Sequence, residues 1–205
     1  RVHTPYPSGY PVDLLAVRDG RVYLAGEGGG VWVFDVTGPA LRLVSTVAPL
    51  LGGTWWVGQA QQAALAGGVM CVLDAYEPYR SPLSTPDPTP AYHLRLRLFD
   101  LADGSDVRTV GDFGAGQGLR DVVADRSIAY VADPSTGVHV VDTSDPSAPV
   151  ELAAVPVLDG ALSLARRGDQ VYVLAQRLVG ERPRQAAEYE TALATLDVSD
   201  PAHPS

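Results

Sequence analysis

Apolar positions along the chain fall in short runs broken by Gly, Asp and Pro, and two kinds of run recur together about four times. One is a Val-Tyr-Val-Ala-like stretch. The other is an apolar stretch closed by Asp, which often leads into Ser-Asp-Pro. The third copy is the cleanest, with Ala129-Tyr130-Val131-Ala132 followed by Val138-His139-Val140-Val141-Asp142-Thr143-Ser144-Asp145-Pro146. The first copy has Val22-Tyr23-Leu24-Ala25 and Val31-Trp32-Val33-Phe34-Asp35. In the second, Val69-Met70-Cys71-Val72 precedes Leu96-Arg97-Leu98-Phe99-Asp100, and in the fourth Val171-Tyr172-Val173-Leu174 precedes Ala194-Thr195-Leu196-Asp197. Short β-rich runs between turn residues at a fixed period predict an all-β repeat array.

Tyr23 to Asp35 and Tyr130 to Asp142 are both 12 steps, while Asp100 to Tyr130 and Asp142 to Tyr172 are both 30, so the unit is 42 residues. With Met70 aligned on the repeated Tyr, the second copy departs by 18 extra residues before Asp100 and by 5 after Asp35. The fourth carries 13 extra between Tyr172 and Asp197. This period suits a β-propeller of about four repeats of four-stranded antiparallel blades. Approximate repeats are 9–47, 48–113, 114–155 and 156–205. The inner strands are expected at Asp13 to Val17, Gln62 to Ala66, Asp121 to Ala124 and Ser163 to Ala165, and an outermost strand at Val150 to Val155. Joining the two ends restores nearly the standard spacing. A closed ring and a fragment of a larger propeller are both open on this count, with the fragment slightly favoured.

Residues 118–149 closely resemble the repeat of the bacterial LVIVD-repeat β-propellers, an inner strand followed by "AYVAD" and "GLxVVDVSDPxxP". Residues 191–204 match the second half, and 9–36 match with Thr37-Gly38-Pro39 replacing Ser-Asp-Pro. The second copy is degenerate, with Leu101-Ala102-Asp103-Gly104 at the motif. The resemblance implies a propeller and, for location, an extracellular or cell-envelope setting. It implies little about activity.

Composition changes the picture mainly by exclusion. The 205 residues are 46% hydrophobic and 19% charged, which suits a globular domain able to bury a sizeable core. All 15 basic residues are Arg, a pattern that suits GC-rich coding. The net charge of −9 and the lack of a basic stripe argue against a nucleic-acid partner. No apolar stretch approaches the roughly 20 residues that span a bilayer. The lone Cys71 excludes an internal disulfide and is expected as a small buried hydrophobe.

Loop placement carries most of the functional information. In a propeller, the loops between second and third strands and between successive blades share one face, and all three insertions fall in such loops. That face is expected to gather Trp55, Trp56, Tyr76, Tyr79, Arg80, Tyr92, Arg182 and Tyr189, with Arg184 nearby. Aromatics and Arg are enriched at binding hot spots. Pro-rich insertions that simply pack over neighbouring blades are the competing expectation.

A second constellation opens the inner strands: Asp13, Gln62, Arg120, Asp121 and Ser163, expected around a channel mouth. Such oxygen ligands suit a hard cation such as Ca²⁺. Strand-end capping and channel water are the preferred expectation, and neither a metal nor a cofactor is assigned. The repeated Asp35, Asp100, Asp142 and Asp197 are expected to accept turn N–H groups, because one per blade spreads them around the circumference.

No catalytic residue is assigned. His3, His93, His139 and His203 lack metal-binding spacing, and His139 is expected to face outward. The glycine runs at 26–30 and 114–118 do not precede an expected helix, as a phosphate loop would. The expectation is a non-catalytic interaction module that binds a protein or carbohydrate ligand through its inserted loops. A propeller hydrolase or lyase with a channel cation is the alternative, and a structural repeat within a larger surface protein is the third reading.

Overall fold

The computed structural model describes residues 12–26, 31–47, 57–77, 93–101, 108–116, 119–180 and 188–205. These residues form four antiparallel sheets and no helix. The first sheet holds β1 (Val12–Arg18), β2 (Arg21–Gly26), β3 (Val31–Asp35) and β4 (Arg42–Val47). The second holds β5 (Val57–Ala66), β6 (Val69–Glu77), β7 (His93–Asp100) and β8 (Arg108–Gly116). The third holds β9 (Asp121–Asp125), β10 (Ile128–Asp133), β11 (Gly137–Asp142) and β12 (Val150–Val155). The fourth holds β13 (Gly160–Arg167), β14 (Gln170–Gly180) and β15 (Glu188–Asp197). Strands pair in chain order within each sheet.

The sheets pack on one another through their first strands, β1 on β5, β5 on β9 and β9 on β13. This is the architecture of propeller blades. The core therefore lies between sheets. Tyr23 and Val33 of the first blade pack with Met70, Val72 and Phe99 of the second. Cys71, Leu73, Leu96 and Leu98 meet Val122, Ala129, Val131 and Val141 of the third. Tyr130, Ala132, Val138 and Val140 in turn meet Leu164, Val171, Val173 and Ala175 of the fourth. Successive side chains of a strand point to opposite faces. A blade with a neighbour on each side must be apolar on both, which is why these runs read as continuous rather than alternating.

The hairpins between first and second strands share a two-residue turn whose first residue has positive φ. Asp19 and Gly20 sit at 49° and 71°, Gly67 at 57°, Arg126 at 51° and Gly168 at 61°. The residue after each repeated Asp then donates its N–H to that turn: Val36 to Gly20, Leu101 to Gly68, Thr143 to Ser127 and Val198 to Asp169, all at 2.7–2.8 Å. This tie recurs in every blade and fixes their common register.

That register corrects the alignment of the second copy. Val69 pairs with Asp100 as Ile128 pairs with Asp142, so Cys71, not Met70, occupies the position of Tyr130. Packing agrees, since Cys71 faces the following blade as Tyr23 and Tyr130 do, and Met70 faces the preceding one. With both residues fully buried, apolar character alone leaves the side unspecified.

The third and fourth blades are joined closely where β13 begins. Gly160 adopts φ 156°, and a Cβ built there would lie 1.9 Å from the Pro134 carbonyl oxygen, so only glycine fits beneath that turn. At the far end of the fourth blade, Asp197 and Ser205 exchange two backbone hydrogen bonds of 2.7 and 3.1 Å. Ser205 thus stands where Val150 stands opposite Asp142.

Candidate binding face

The starts of β9 and β13 and the turns joining β6 to β7, β10 to β11 and β14 to β15 lie at one end of the blades, as alternating strand direction requires. The three strand pairs that lead to these turns differ in length. In the third blade the ladder stops at Asp133 opposite Gly137. In the second it continues to Tyr76 opposite His93, and in the fourth to Gly180 opposite Glu188. Two insertions thus begin as extended hairpins that flank a short one. Tyr76 lies in the first extension and Tyr189, which is exposed, in the second.

Asp159 anchors the fourth-blade extension. Its backbone N–H donates to Gln176 O at 3.0 Å, and its Oδ2 accepts from Leu178 N at 2.7 Å. Above this point Leu178 pairs with Tyr189, and Leu178, Val179 and Tyr189 all remain solvent-exposed. Asp159 was not singled out from sequence; an Asp-Gly pair just ahead of an inner strand was its available signal. Trp55, Trp56, Tyr79, Arg80, Tyr92, Arg182 and Arg184 lie outside the described residues.

The inner-strand constellation resolves into a tie between blades. Asp121 Oδ1 accepts from Val122 N at 2.8 Å, and Oδ2 accepts from Ser163 Oγ at 2.7 Å and Leu164 N at 2.8 Å. The carboxylate already has three donors, two of them on the next blade. It caps the starts of both strands. Arg120 and Gln62 are exposed, and Asp13 lies in β1 opposite Ala25. No hydrogen bond joins Arg120, Gln62 and the Asp121–Ser163 pair through their side chains among the described residues. Nor is any group of three or more His, Cys, Asp or Glu side chains there placed to hold a metal ion.

A further tie crosses the same two blades at the opposite end, where Arg166 Nη2 donates to Asp125 Oδ2 at 2.7 Å. Burial pushes the phenol of Tyr130 above its ordinary range, with Arg166 partly opposing the shift.

His139 departs from expectation. It lies largely buried, with Nδ1 at 2.5 Å from Glu151 Oε1 and Nε2 at 2.7 Å from Thr136 Oγ1. Asp133 Oδ2 is 3.9 Å from Nε2. The side opposite Val138 and Val140 faces another blade rather than water, so alternation does not expose it.

The repeated turn aspartates act locally. Asp35 Oδ1 accepts from Thr37 N and Oγ1 at 2.9 and 2.6 Å, Asp142 Oδ1 from Ser144 N at 2.8 Å, and Asp197 Oδ1 from Ser199 N at 2.9 Å. The Thr37 hydroxyl and N–H, with Arg42, hold Asp35 well below the usual carboxylate range. These carboxylates are turn caps.

No helix among the described residues is long and apolar enough to cross a membrane. In sequence, no curated protein matches the chain. Among solved structures, the chain is similar to a functionally unknown protein from Desulfotomaculum acetoxidans DSM 771, at 13% identity and TM-score 0.45, covering 96% of this chain and 69% of that one. It is also similar to an exo-1,5-alpha-L-arabinanase from a bovine ruminal metagenomic library, at 12% identity and TM-score 0.45, covering 94% and 73%. Residues 120–156 match the family model of the LVIVD repeat. They coincide with the blade whose register is the most regular, and the third blade of this chain is an LVIVD repeat.

Proposed function

We propose that the chain is a non-catalytic interaction module that binds a glycan-like or protein ligand on its inserted-loop face. The observation that carries this reading is the pair of extended hairpins at one end of the second and fourth blades, with the short third hairpin between them. The shorter third pair between them is taken as the place for a ligand, since ligand sites are usually concave. The exposed Leu178 and Tyr189, on the same face as Leu174 and Leu193, together with exposed Val179, give the fourth-blade extension apolar and aromatic surface. Tyr side chains supply large contact area at low conformational cost. The insertions at 50–56, 78–92 and 181–187 carry further aromatic and Arg residues into the same loops.

The test is a printed oligosaccharide panel and a displayed peptide library, each probed with labelled chain. Two variants are compared with the parent: Trp55→Ala/Trp56→Ala/Tyr79→Ala and Leu178→Ala/Tyr189→Ala. Val150→Ala, exposed at the opposite end of the third blade, is the control. Binding lost in the first two and kept in the control supports the face. Unchanged affinity in the triple variant overturns it.

A further inference from the structure

The link between the third and fourth blades is held against the third hairpin from both sides. A Cβ built on Gly137, at the start of β11, would lie 2.1 Å from the Val155 carbonyl oxygen and 2.9 Å from Val157 N. One built on Gly160 would lie 1.9 Å from the Pro134 carbonyl oxygen. Each segment thus sets a glycine against the backbone of the other, which fixes the link in place. Val157 is buried in the core between the two blades. Gly160 N donates to Val157 O at 3.0 Å and closes a tight turn, and Asp159 ties that turn to β14 through Gln176 O and Leu178 N.

Leu158 stands at the first central position of this turn with φ 50°, and Asp159 at the second is not in the positive region. That is the pattern of a type II′ turn, whose first central position calls for glycine. Among the described residues only three others than glycine have positive φ, and of these Asp19 and Arg126 are polar and lie in hairpin turns. Leu158 is the apolar one. A bulky aliphatic side chain in this region is strained. Burial does not offset the strain, because Leu158 is 41% exposed. Glycine would fit the turn at no strain, and the chain carries leucine there.

We propose that Leu158 is an anchor of the ligand site on the inserted-loop face, and that the group it takes is an apolar side chain of a protein partner; this rests on the reading of that face given above. Strain at an exposed position persists only where the surroundings hold it, and such positions cluster at binding sites. Here the two glycine contacts, the Val157–Gly160 bond and the Asp159 ties do the holding. The contact of Gly160 with Pro134 sets the turn beside the short third hairpin, which the two longer ones flank. The chemistry of the residue then favours one class of partner. An isobutyl group has no donor or acceptor, so a sugar hydroxyl pressed on it would give up water without a replacement bond. An apolar side chain gains by leaving water against it. The Asp159 N–H and Oδ2, the nearest polar groups in the turn, are already engaged by β14. A turn held in this way also loses little freedom when a partner binds.

Selection of a displayed random-peptide library on the parent chain, with counter-selection on a Leu158→Gly chain, tests the proposal. The expected peptides share an apolar residue, bind Leu158→Met like the parent, and bind Leu158→Gly about tenfold or more weakly. In urea, Leu158→Gly is expected to unfold at the same denaturant concentration as the parent or a higher one, because glycine adopts the φ of the turn without strain. Lost binding with undiminished stability is the result that a merely structural leucine would not give. A Leu158→Gly chain that binds the selected peptides like the parent overturns the proposal. So does one that unfolds at clearly lower urea, a set of peptides with no apolar residue in common, or a library that yields no binder.

The same peptides measured on Trp55→Ala/Trp56→Ala/Tyr79→Ala separate this proposal from the reading beneath it. Binding lost in that variant and kept in Leu158→Gly overturns the role of Leu158 and leaves the inserted-loop face standing. Binding kept in both overturns the two together.

Discussion

The third and fourth blades share a register, a turn and a repeated Asp, yet they differ in how much of that common plan is buried. Tyr130, Ala132, Val138 and Val140 lie under a neighbour, whereas Leu174 and Leu193, in matching positions, meet solvent. Within the fourth blade itself, Leu164 faces the third blade and is buried, while Leu193 looks the other way. A blade is thus a strand pattern whose stability is conferred largely by what covers it, as expected for a stack with nearest-neighbour interfaces.

This contrast is broken most directly by two truncations of the same residue type in the same sheet. Leu164→Ala is expected to cost about 2–5 kcal/mol, through lost transfer energy and a cavity between blades. Leu193→Ala should stay within about 0.5 kcal/mol, measured by urea unfolding at a concentration where the chain is monomeric. Equal losses would show that Leu193 is buried in solution and that the two faces are alike.

The next effect sharpens the same boundary from its polar side. Asp121 uses one carboxylate to hold Val122 N–H on its own blade and Ser163 Oγ–H and Leu164 N–H on the next. Asp121→Ala leaves the part-buried Leu164 N–H without its acceptor, at a cost of about 1–3 kcal/mol. Ser163→Ala removes only one donor to that carboxylate and should cost less. Comparison of the two unfolding midpoints checks the order, and Ser163→Ala matching or exceeding Asp121→Ala would dismiss the carboxylate as the centre of the tie.

Much of this organisation is legible before folding, for physical reasons that also mark where legibility ends. β12 was expected at Val150–Val155 and is found there, because the Pro146 turn and the preceding Asp142 fix its start. Three of the four hairpin turns carry glycine, at Asp19-Gly20, Gly67-Gly68 and Gly168-Asp169, which favours the positive φ they require, whereas Arg126-Ser127 adopts it without one. The register of the second copy was missed by one residue because Met70 and Cys71 are both apolar and both faces of the blade are covered. His139 was misplaced for a related reason: alternation tells which side of a strand a residue takes, and in a stacked sheet both sides are interior. Asp121 and Ser163 were grouped from their strand-opening positions. Their direct bond depends on bringing together residues 42 apart, which no local pattern states. The anchoring of the fourth-blade extension by Asp159 was not legible, because it required the three-dimensional pairing of Gly160 with Gln176.

The smallest expected effect concerns what the third and fourth blades have in common. Asp145 is held below the usual carboxylate range by the Ser147 hydroxyl and N–H, and Asp197 by the N–H and hydroxyl of Ser199. Asp200 is lowered by His203, then by the N–H of Ala202. These carboxylates bind their proton less readily folded than unfolded, so the unfolded chain takes up more protons as pH falls. Their contribution is complete above the unfolded carboxylate value of about 4 and is lost as pH drops through the lower folded values. All three are exposed, so solvent and salt mute the loss and each contributes little. Asp145→Asn and Asp200→Asn, at matching turn positions, should therefore each lower stability slightly near neutral pH and converge on the parent at low pH, which flattens the acid limb of a thermal-unfolding profile. The turn geometry is the same in both blades, whereas their burial is not. A markedly larger acid effect from the third blade than from the fourth would show that the packing of a blade reaches its turn, and that cap and face are not independent.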